Sequence, residues 1–198
     1  EPYRRQRQMC IRDRLGAGDL GAALVQQAFD GVVFTGSTEV AKLIEKRIAQ
    51  ADNDPVLIAE TGGQNVLVSD SSALPEQVVA DVLSSAFDSA GQRCSALRIL
   101  LLQEDVADHY YKMITEAINE FSLGDPRLLS TDIGPVIDQE AKQNLENHKA
   151  NMRKVARAYV ELEAPTNGHF VAPAVYLLDN LNQLQREVFG PILHTVRY

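Results

Sequence analysis

The chain has 198 residues, a hydrophobic content of 45% and a formal net charge of -8, which indicate a soluble globular protein of one or two domains. The acidic balance argues against a nucleic-acid surface. Because no apolar run could span a membrane and no signal-peptide core is present, we expect a cytoplasmic protein. The two cysteines, Cys10 and Cys94, lie in very different surroundings and do not predict a disulfide.

The first segment, residues 1–14, is rich in Arg and Gln and lacks hydrophobic periodicity. We interpret it as a disordered leader or a segment foreign to the domain, with a basic arm for an acidic partner as the alternative. Cys10 is therefore left out of the chemistry.

Residues 16–21 match the pattern G-x-G-x-x-G, but charged residues rather than a strand precede them. They predict a loop entering a short helix over residues 21–28, not a dinucleotide fingerprint.

A strand, a turn and a helix come next. Residues 31–35 are an apolar, β-branched run that predicts a buried strand, and residues 39–50 have the apolar face of a helix. Gly36, Ser37 and Thr38 connect the two. The free amides at a helix start favour an anion there. The alternative is that Ser37 or Thr38 only caps the helix.

Two further strands are predicted over residues 56–59 and 65–69, with Glu60-Thr61-Gly62-Gly63 between them. A carboxylate at the C-terminal end of a parallel strand lies where open α/β sheets bind their ligands. Glu60 is therefore a candidate functional residue, and a solvated loop residue is the alternative.

Cys94 is the strongest candidate for a reactive group. A predicted helix over residues 74–89 leads to Gly91-Gln92-Arg93-Cys94, and a predicted strand over residues 98–102 follows. Because the thiolate is the nucleophilic form of cysteine, Arg93 and turn amides beside it would favour reactivity. The alternative is a small buried apolar residue without chemistry.

The rest of the chain continues the alternation of strands and helices. We predict helices over residues 106–121 and 138–154, strands over residues 156–162 and 170–178, and a last strand after residues 187–193. Pro173 indicates that its segment is an edge strand or a bend. The class is α/β with mainly parallel sheets. The four histidines lie in no motif for a paired base, so a cysteine hydrolase is the least favoured enzyme, and no metal site is predicted.

Four motifs occur in an order and spacing that resemble the aldehyde dehydrogenase superfamily: Gly36-Ser37-Thr38, Glu60-Thr61-Gly62-Gly63, Gly91-Gln92-Arg93-Cys94 and Glu187-Val188-Phe189-Gly190-Pro191. The stretches 59–65 and 93–98 are similar in detail to L-glutamate γ-semialdehyde (Δ1-pyrroline-5-carboxylate) dehydrogenases, as in bacterial bifunctional proline-utilisation proteins. The resemblance implies an aldehyde dehydrogenase-like α/β fold, incomplete at both ends. Residues 15–63 would end a Rossmann-like NAD-binding domain, and residues 64–198 would belong to the α/β catalytic domain.

The resemblance also implies roles for individual residues. Cys94 would attack the aldehyde and Glu60 would activate water, while NAD accepts the hydride and glutamate semialdehyde becomes glutamate. The implied cofactor-binding residues are Gly36, Ser37, Glu60, Thr61, Gly62, Glu187 and Phe189. The implied substrate-binding residues are Ser95, Phe87 and Arg93.

The resemblance further implies a longer, homo-oligomeric enzyme with a small-molecule aldehyde substrate, fused to a proline dehydrogenase domain. The upstream Asn that completes the family's oxyanion hole is missing here, so we expect the isolated chain to be inactive. Two alternatives stay open. One is a dehydrogenase for another semialdehyde, such as succinic or methylmalonic semialdehyde. The other is a non-catalytic fragment that binds nucleotide or partner chains.

Overall fold

A computed structural model describes residues 12–51 and 53–198. Most of the predicted leader, including Cys10, lies outside the described residues. The chain divides into two compact units, the first ending at Thr61 and the second running from Gly62 to Tyr198. Each unit is a layered α/β structure.

The first unit is a strand–helix–strand arrangement preceded by a short helix. Its elements are α1 (Gly18–Val25), β1 (Gly31–Gly36), α2 (Thr38–Ile48) and β2 (Val56–Thr61). The strands pair in parallel, as predicted. Helix α1 begins three residues before the predicted position, because Gly18, Asp19 and Leu20 join its first turn. The carboxylate of Asp19 stabilises this turn by interacting with the positive end of the helix dipole.

The two strands of this unit are less buried than their apolar sequences predict. Val33 is 77% exposed and Ile58 is 52% exposed. The described unit has a sheet of only two strands, and α2 turns its buried residues Ala41, Ile44 and Ile48 inward. An apolar run is buried only where a second layer covers it, so the prediction of buried strands is wrong for these described residues.

The second unit contains a five-stranded sheet in the order β3-β4-β7-β6-β5. Its strands are β3 (Asn65–Ser69), β4 (Leu97–Leu102), β5 (Ala158–Glu161), β6 (Ala174–Leu178) and β7 (Ile192–Arg197). Its helices are α3 (Pro75–Phe87), α4 (Glu104–Ile118) and α5 (Gln139–Val155). Only β5 is antiparallel to its neighbour, which confirms the prediction of mainly parallel pairing.

The core of this unit lies between the sheet and the helices. Helices α3 and α4 pack on each other and on the central strands β4 and β7. Along α4, Tyr110, Ile114 and Ile118 form a fully buried apolar stripe. No helix among the described residues is both long and apolar enough to cross a membrane.

The segment around Pro173 differs from the prediction. Strand β6 begins at Ala174, its residues are all buried, and it lies between β7 and β5, so the prediction of an edge strand is wrong. Pro173 precedes the strand, and its carbonyl accepts a hydrogen bond from the Leu162 amide at 3.0 Å. The missing proline N–H therefore interrupts no hydrogen bond within β6.

Candidate active site

Cys94 lies in an exposed turn between α3 and β4. A short 3-10 segment, Asp88–Gly91, precedes the turn, and Ser89, Ala90 and Gly91 all have positive φ angles, of 56°, 54° and 65°. A Cβ atom at Gly91 would overlap the carbonyl group of Gly190. The chain before the thiol is thus held in a conformation that only glycine tolerates at position 91.

Two side chains bind the carbonyl groups on both sides of the thiol. Asn65, at the start of β3, donates from Nδ2 to the carbonyls of Cys94 at 2.7 Å and Ala96 at 2.9 Å. Arg98, on β4, donates from Nη1 to the Gly91 carbonyl at 2.7 Å and from Nη2 to the Arg93 carbonyl at 3.0 Å. Sequence reasoning missed both residues. The sequence signal that could have identified Arg98 is a positively charged residue inside the apolar run of β4.

Arg98 also contacts the segment that carries Glu187 and Phe189. Its Nη2 lies 3.4 Å from the Glu187 carboxylate, its Nη1 donates to the Gly190 carbonyl at 3.3 Å, and its guanidinium lies 5.2 Å from the centre of the Phe189 ring. The side chain of Arg98 is 1% exposed, against 23% for Glu187. Burial lowers the pKa of Arg98, and the adjacent Glu187 carboxylate opposes that shift.

The Glu187 carboxylate also lies against the backbone of Gly62. A Cβ atom at Gly62 would overlap this carboxylate, so the close approach requires glycine. Three of the residues predicted from the sequence, Gly62, Glu187 and Phe189, therefore lie close together in the second unit, and Arg98 connects them to the turn of Cys94. Arg98 contacts the turn of Cys94 and the segment of Glu187 at the same time.

A cavity of about 360 Å³ lies beside the thiol turn. Arg93 and Ser95 line it, together with Leu67, Asp81, Ser84, Ser85 and Ala96. Arg93 donates from Nε to the Ser89 hydroxyl at 3.0 Å. Phe87, the third predicted substrate residue, is 1% exposed and packs edge-on against Phe121 at 5.5 Å. Its packing explains its burial, and its substrate role stays a prediction.

The remaining predicted residues lie together on the first unit. Glu60 pairs with Thr35, and Thr61 pairs with Gly36, so the C-terminal ends of β1 and β2 lie side by side. The Ser37 hydroxyl accepts a hydrogen bond from the Val40 amide at 3.2 Å and caps α2. The capping alternative is therefore observed for Ser37, and its backbone remains at the anion-favouring end of an 11-residue helix.

Two histidines pair inside the second unit, although sequence reasoning found no partner for either. The Nε2 atoms of His148 on α5 and His194 on β7 are 2.9 Å apart. The Nδ1 atom of His194 lies 3.1 Å from the carbonyl oxygen of Arg98, which can only accept a hydrogen bond. His194 therefore donates from Nδ1 and accepts at Nε2. Burial lowers the pKa of His148 to about 4 and that of His194 to about 3.

Comparison with known proteins places this geometry in a family. The model of the aldehyde dehydrogenase family matches residues 15–198. The chain is 54% identical over 180 residues to the bifunctional protein PutA of Escherichia coli, covering 85% of this chain and 14% of that protein. It is 31% identical over 169 residues to the 1-pyrroline-5-carboxylate dehydrogenase of Bacillus cereus, covering 82% of this chain and 33% of that protein.

Solved structures give the same result. The structure of proline utilization A (PutA) from Bradyrhizobium japonicum matches with a TM-score of 0.90 and 54% identity, over 92% of this chain and 19% of that chain. Betaine aldehyde dehydrogenase of Staphylococcus aureus, solved with NAD+, matches with a TM-score of 0.85 and 28% identity, over 93% of this chain and 38% of that chain. The chain thus spans a minor part of each of these proteins.

Proposed function

Because this chain belongs to the aldehyde dehydrogenase family, we propose that it carries the thiol of an enzyme that oxidises L-glutamate γ-semialdehyde to L-glutamate. One observation is the strongest support for this proposal. An exposed cysteine lies in a rigid turn, and one buried cation links that turn to the carboxylate of Glu187. A cysteine with only a packing role needs neither the exposure nor the link.

The proposed chemistry begins at the sulfur of Cys94. The thiolate attacks the aldehyde carbon, a C–S bond forms, and the carbonyl oxygen becomes an oxyanion that the Cys94 amide stabilises. NAD, when bound, would supply the acceptor for the hydride of that carbon. Glu60 then takes a proton from water as the water attacks the thioester on Cys94, and the C–S bond breaks to give the carboxylate. The reaction consumes the aldehyde, water and NAD+, and it releases the carboxylate, NADH and two protons.

The residues of the second unit fit a nicotinamide nucleotide. The Glu187 carboxylate is oriented by Arg98 and still 23% exposed, so it can accept hydrogen bonds from ribose hydroxyls. The Phe189 ring beside it is 45% exposed and offers an apolar surface. On the first unit, Gly36, Ser37, Glu60 and Thr61 lie at strand ends where a pyrophosphate is expected. The NAD+ in the Staphylococcus aureus structure supports this cofactor class.

The substrate assignment depends on the cavity beside the thiol turn and on the relatives. Arg93 and Ser95 line that cavity and can bind the carboxylate of a semialdehyde through charge and a hydroxyl. A relative named for a carboxylate substrate, 1-pyrroline-5-carboxylate dehydrogenase, is 31% identical to this chain, and the relatives named PutA are more than 50% identical. The betaine aldehyde dehydrogenase, named for a cationic aldehyde, is 28% identical. This difference favours a carboxylate-bearing aldehyde over a cationic one.

We extend the proposal to the whole protein. The words "bifunctional" and "proline utilization" in the relatives' names support a second, proline-oxidising activity in the same polypeptide. Assembly of that protein into homo-oligomers stays a prediction.

The test is a steady-state assay of NADH formation at 340 nm with the complete gene product. We expect kcat/KM for L-glutamate γ-semialdehyde to exceed the values for succinic and methylmalonic semialdehyde. The Cys94→Ser variant should lose NADH formation and keep NAD binding. Equal rates for all three aldehydes, or full activity of Cys94→Ser, would refute the proposal.

A further inference from the structure

Four carbonyl groups around Cys94 accept hydrogen bonds from two side-chain donors. Arg98 binds the carbonyls of Gly91 and Arg93, and Asn65 binds those of Cys94 and Ala96. Neither donor comes from the turn itself, because Asn65 begins β3 and Arg98 lies on β4. The Arg93 carbonyl also accepts a hydrogen bond from the Ala96 amide at 3.1 Å. The turn is therefore held by one backbone bond of its own and by side chains from two paired strands of the sheet.

These bonds determine the direction of two amide groups. In a trans peptide, the N–H points opposite to the C=O of the same plane, and no cis peptide occurs among the described residues. The bond from Arg98 to the Arg93 carbonyl therefore turns the Cys94 amide away from the buried guanidinium. The bond from Asn65 to the Cys94 carbonyl likewise turns the Ser95 amide away from Asn65. Within residues 12–51 and 53–198, neither amide donates a hydrogen bond.

The backbone before the turn would not hold this orientation by itself. Ser89 and Ala90 have positive φ angles, a conformation that costs of order 1–3 kcal/mol and persists only where the surroundings enforce it. The short bond from Arg98 to the Gly91 carbonyl enforces it from the sheet side.

We infer that Asn65 and Arg98 are positioning residues that aim the amides of Cys94 and Ser95 at the site where the substrate oxyanion forms, and that Arg98 sets the position of Glu187 as well. The catalytic part of this inference depends on the proposed function. The orientation of the amides does not, because it follows from the hydrogen bonds alone. The two residues should therefore differ in effect: Asn65 acts on the thiol turn, and Arg98 acts on the turn and on the nucleotide site.

The orientation can be measured without catalysis by NMR residual dipolar couplings of the backbone amides in the 198-residue chain. We compare wild type with Asn65→Asp, which keeps the side-chain shape but cannot donate to the two carbonyls. The couplings of Cys94 and Ser95 should change while those of β4 stay the same. Asn167→Asp, in an exposed loop, is the matched control and should change neither set. Unchanged couplings at Cys94 and Ser95 would overturn the inference.

Activity of the complete gene product gives the second measurement. Asn65→Asp should lower kcat about 10- to 100-fold, since misdirected oxyanion donors lose transition-state stabilisation, with an unchanged KM for NAD. Arg98→Lys should lower kcat and raise the KM for NAD several-fold, with Arg157→Lys as its exposed control.

Parallel changes of kcat and KM in both variants would indicate only a general structural role and would overturn the inference. A wild-type protein without aldehyde oxidation would refute the proposed function, while the couplings would still decide the orientation of the amides.

Discussion

The guanidinium of Arg98 lies 3.4 Å from the carboxylate of Glu187, and 89 positions separate the two residues in the sequence. The ion pair joins strand β4, which follows the thiol turn, to the loop that precedes β7. Because Arg98 also donates to the carbonyls of Arg93 and Gly190, one side chain links the turn of the proposed nucleophile to the proposed ribose-binding carboxylate.

Replacing Glu187 by Gln should separate the electrostatic role of this carboxylate from its shape. The variant leaves the buried Arg98 without its ion-pair partner, so we expect the free energy of unfolding to fall by about 1–3 kcal/mol. The KM for NAD should rise, because an amide accepts ribose hydroxyl hydrogen bonds less strongly than a carboxylate. Urea denaturation and NAD titration measure the two effects. The exposed Glu163→Gln is the control, and equal stability of the two variants would contradict the prediction.

Replacing Gly91 by Ala tests the backbone before the thiol. The new Cβ would overlap the Gly190 carbonyl and would occupy a positive φ of 65°. We expect a loss of about 2 kcal/mol or more in the free energy of unfolding, from strain and a steric clash together. Gly124→Ala is the control, since its Cβ would meet only the Thr131 hydroxyl at 3.3 Å. A loss no larger than that of the control would show that the turn adapts easily.

The His148–His194 pair predicts acid sensitivity. Both folded-state pKa values, about 4 and about 3, lie below the ordinary value of 6.5. The unfolded state therefore binds protons first as the pH falls, so the stabilisation is complete above pH 6.5 and is lost towards pH 4. As the pH falls from 7.5 to 5, each histidine should lower the free energy of unfolding by about 1–2 kcal/mol.

Urea denaturation at a series of pH values measures this loss. The Arg98 carbonyl accepts a hydrogen bond from His194, and the ring of Tyr176 stacks on His194 at 6.1 Å. The positive charge of Arg98 also lowers the pKa of His194. His148→Gln should flatten the pH dependence, and the exposed His109→Gln should keep the slope of wild type. A wild-type stability that does not change between pH 7.5 and 5 would rule out this role of the pair.

Glu161 should be a sensitive position in the sheet. It accepts hydrogen bonds from Arg153 at 2.9 Å and from the Tyr176 hydroxyl, and it lies 3.3 Å from the ammonium of Lys149, which is 3% exposed. These contacts lower the pKa of Glu161 against the effect of its burial. Glu161→Gln leaves a buried cation poorly paired and should destabilise the protein by about 3 kcal/mol. The melting temperature measures this effect, and a shift matching that of Glu163→Gln would disprove it.

Much of the fold follows from local patterns. The alternation of apolar runs and amphipathic stretches predicted β3 with its observed bounds, and it predicted the other strands and helices within a few residues. The predicted α/β class and parallel sheets are confirmed, because short-range periodicity reports directly on strand and helix. The order and spacing of four motifs, including the one around Cys94, also identified the family that the comparisons show.

Other features depend on contacts between residues far apart in the chain. No local pattern indicates that Arg98 reaches Glu187, that Asn65 binds the turn of Cys94, or that His148 meets His194. The place of β6 inside the sheet and the exposure of β1 were also mispredicted, since both depend on which elements lie alongside.

The amino-acid sequence by itself thus determined the class of elements, their order and the cysteine proposed as the reactive thiol. Only the tertiary structure decided how that thiol is held. Periodicity is a property of neighbouring residues, whereas a buried guanidinium finds its acceptors only after the sheet has brought distant carbonyl and carboxylate groups within hydrogen-bonding distance.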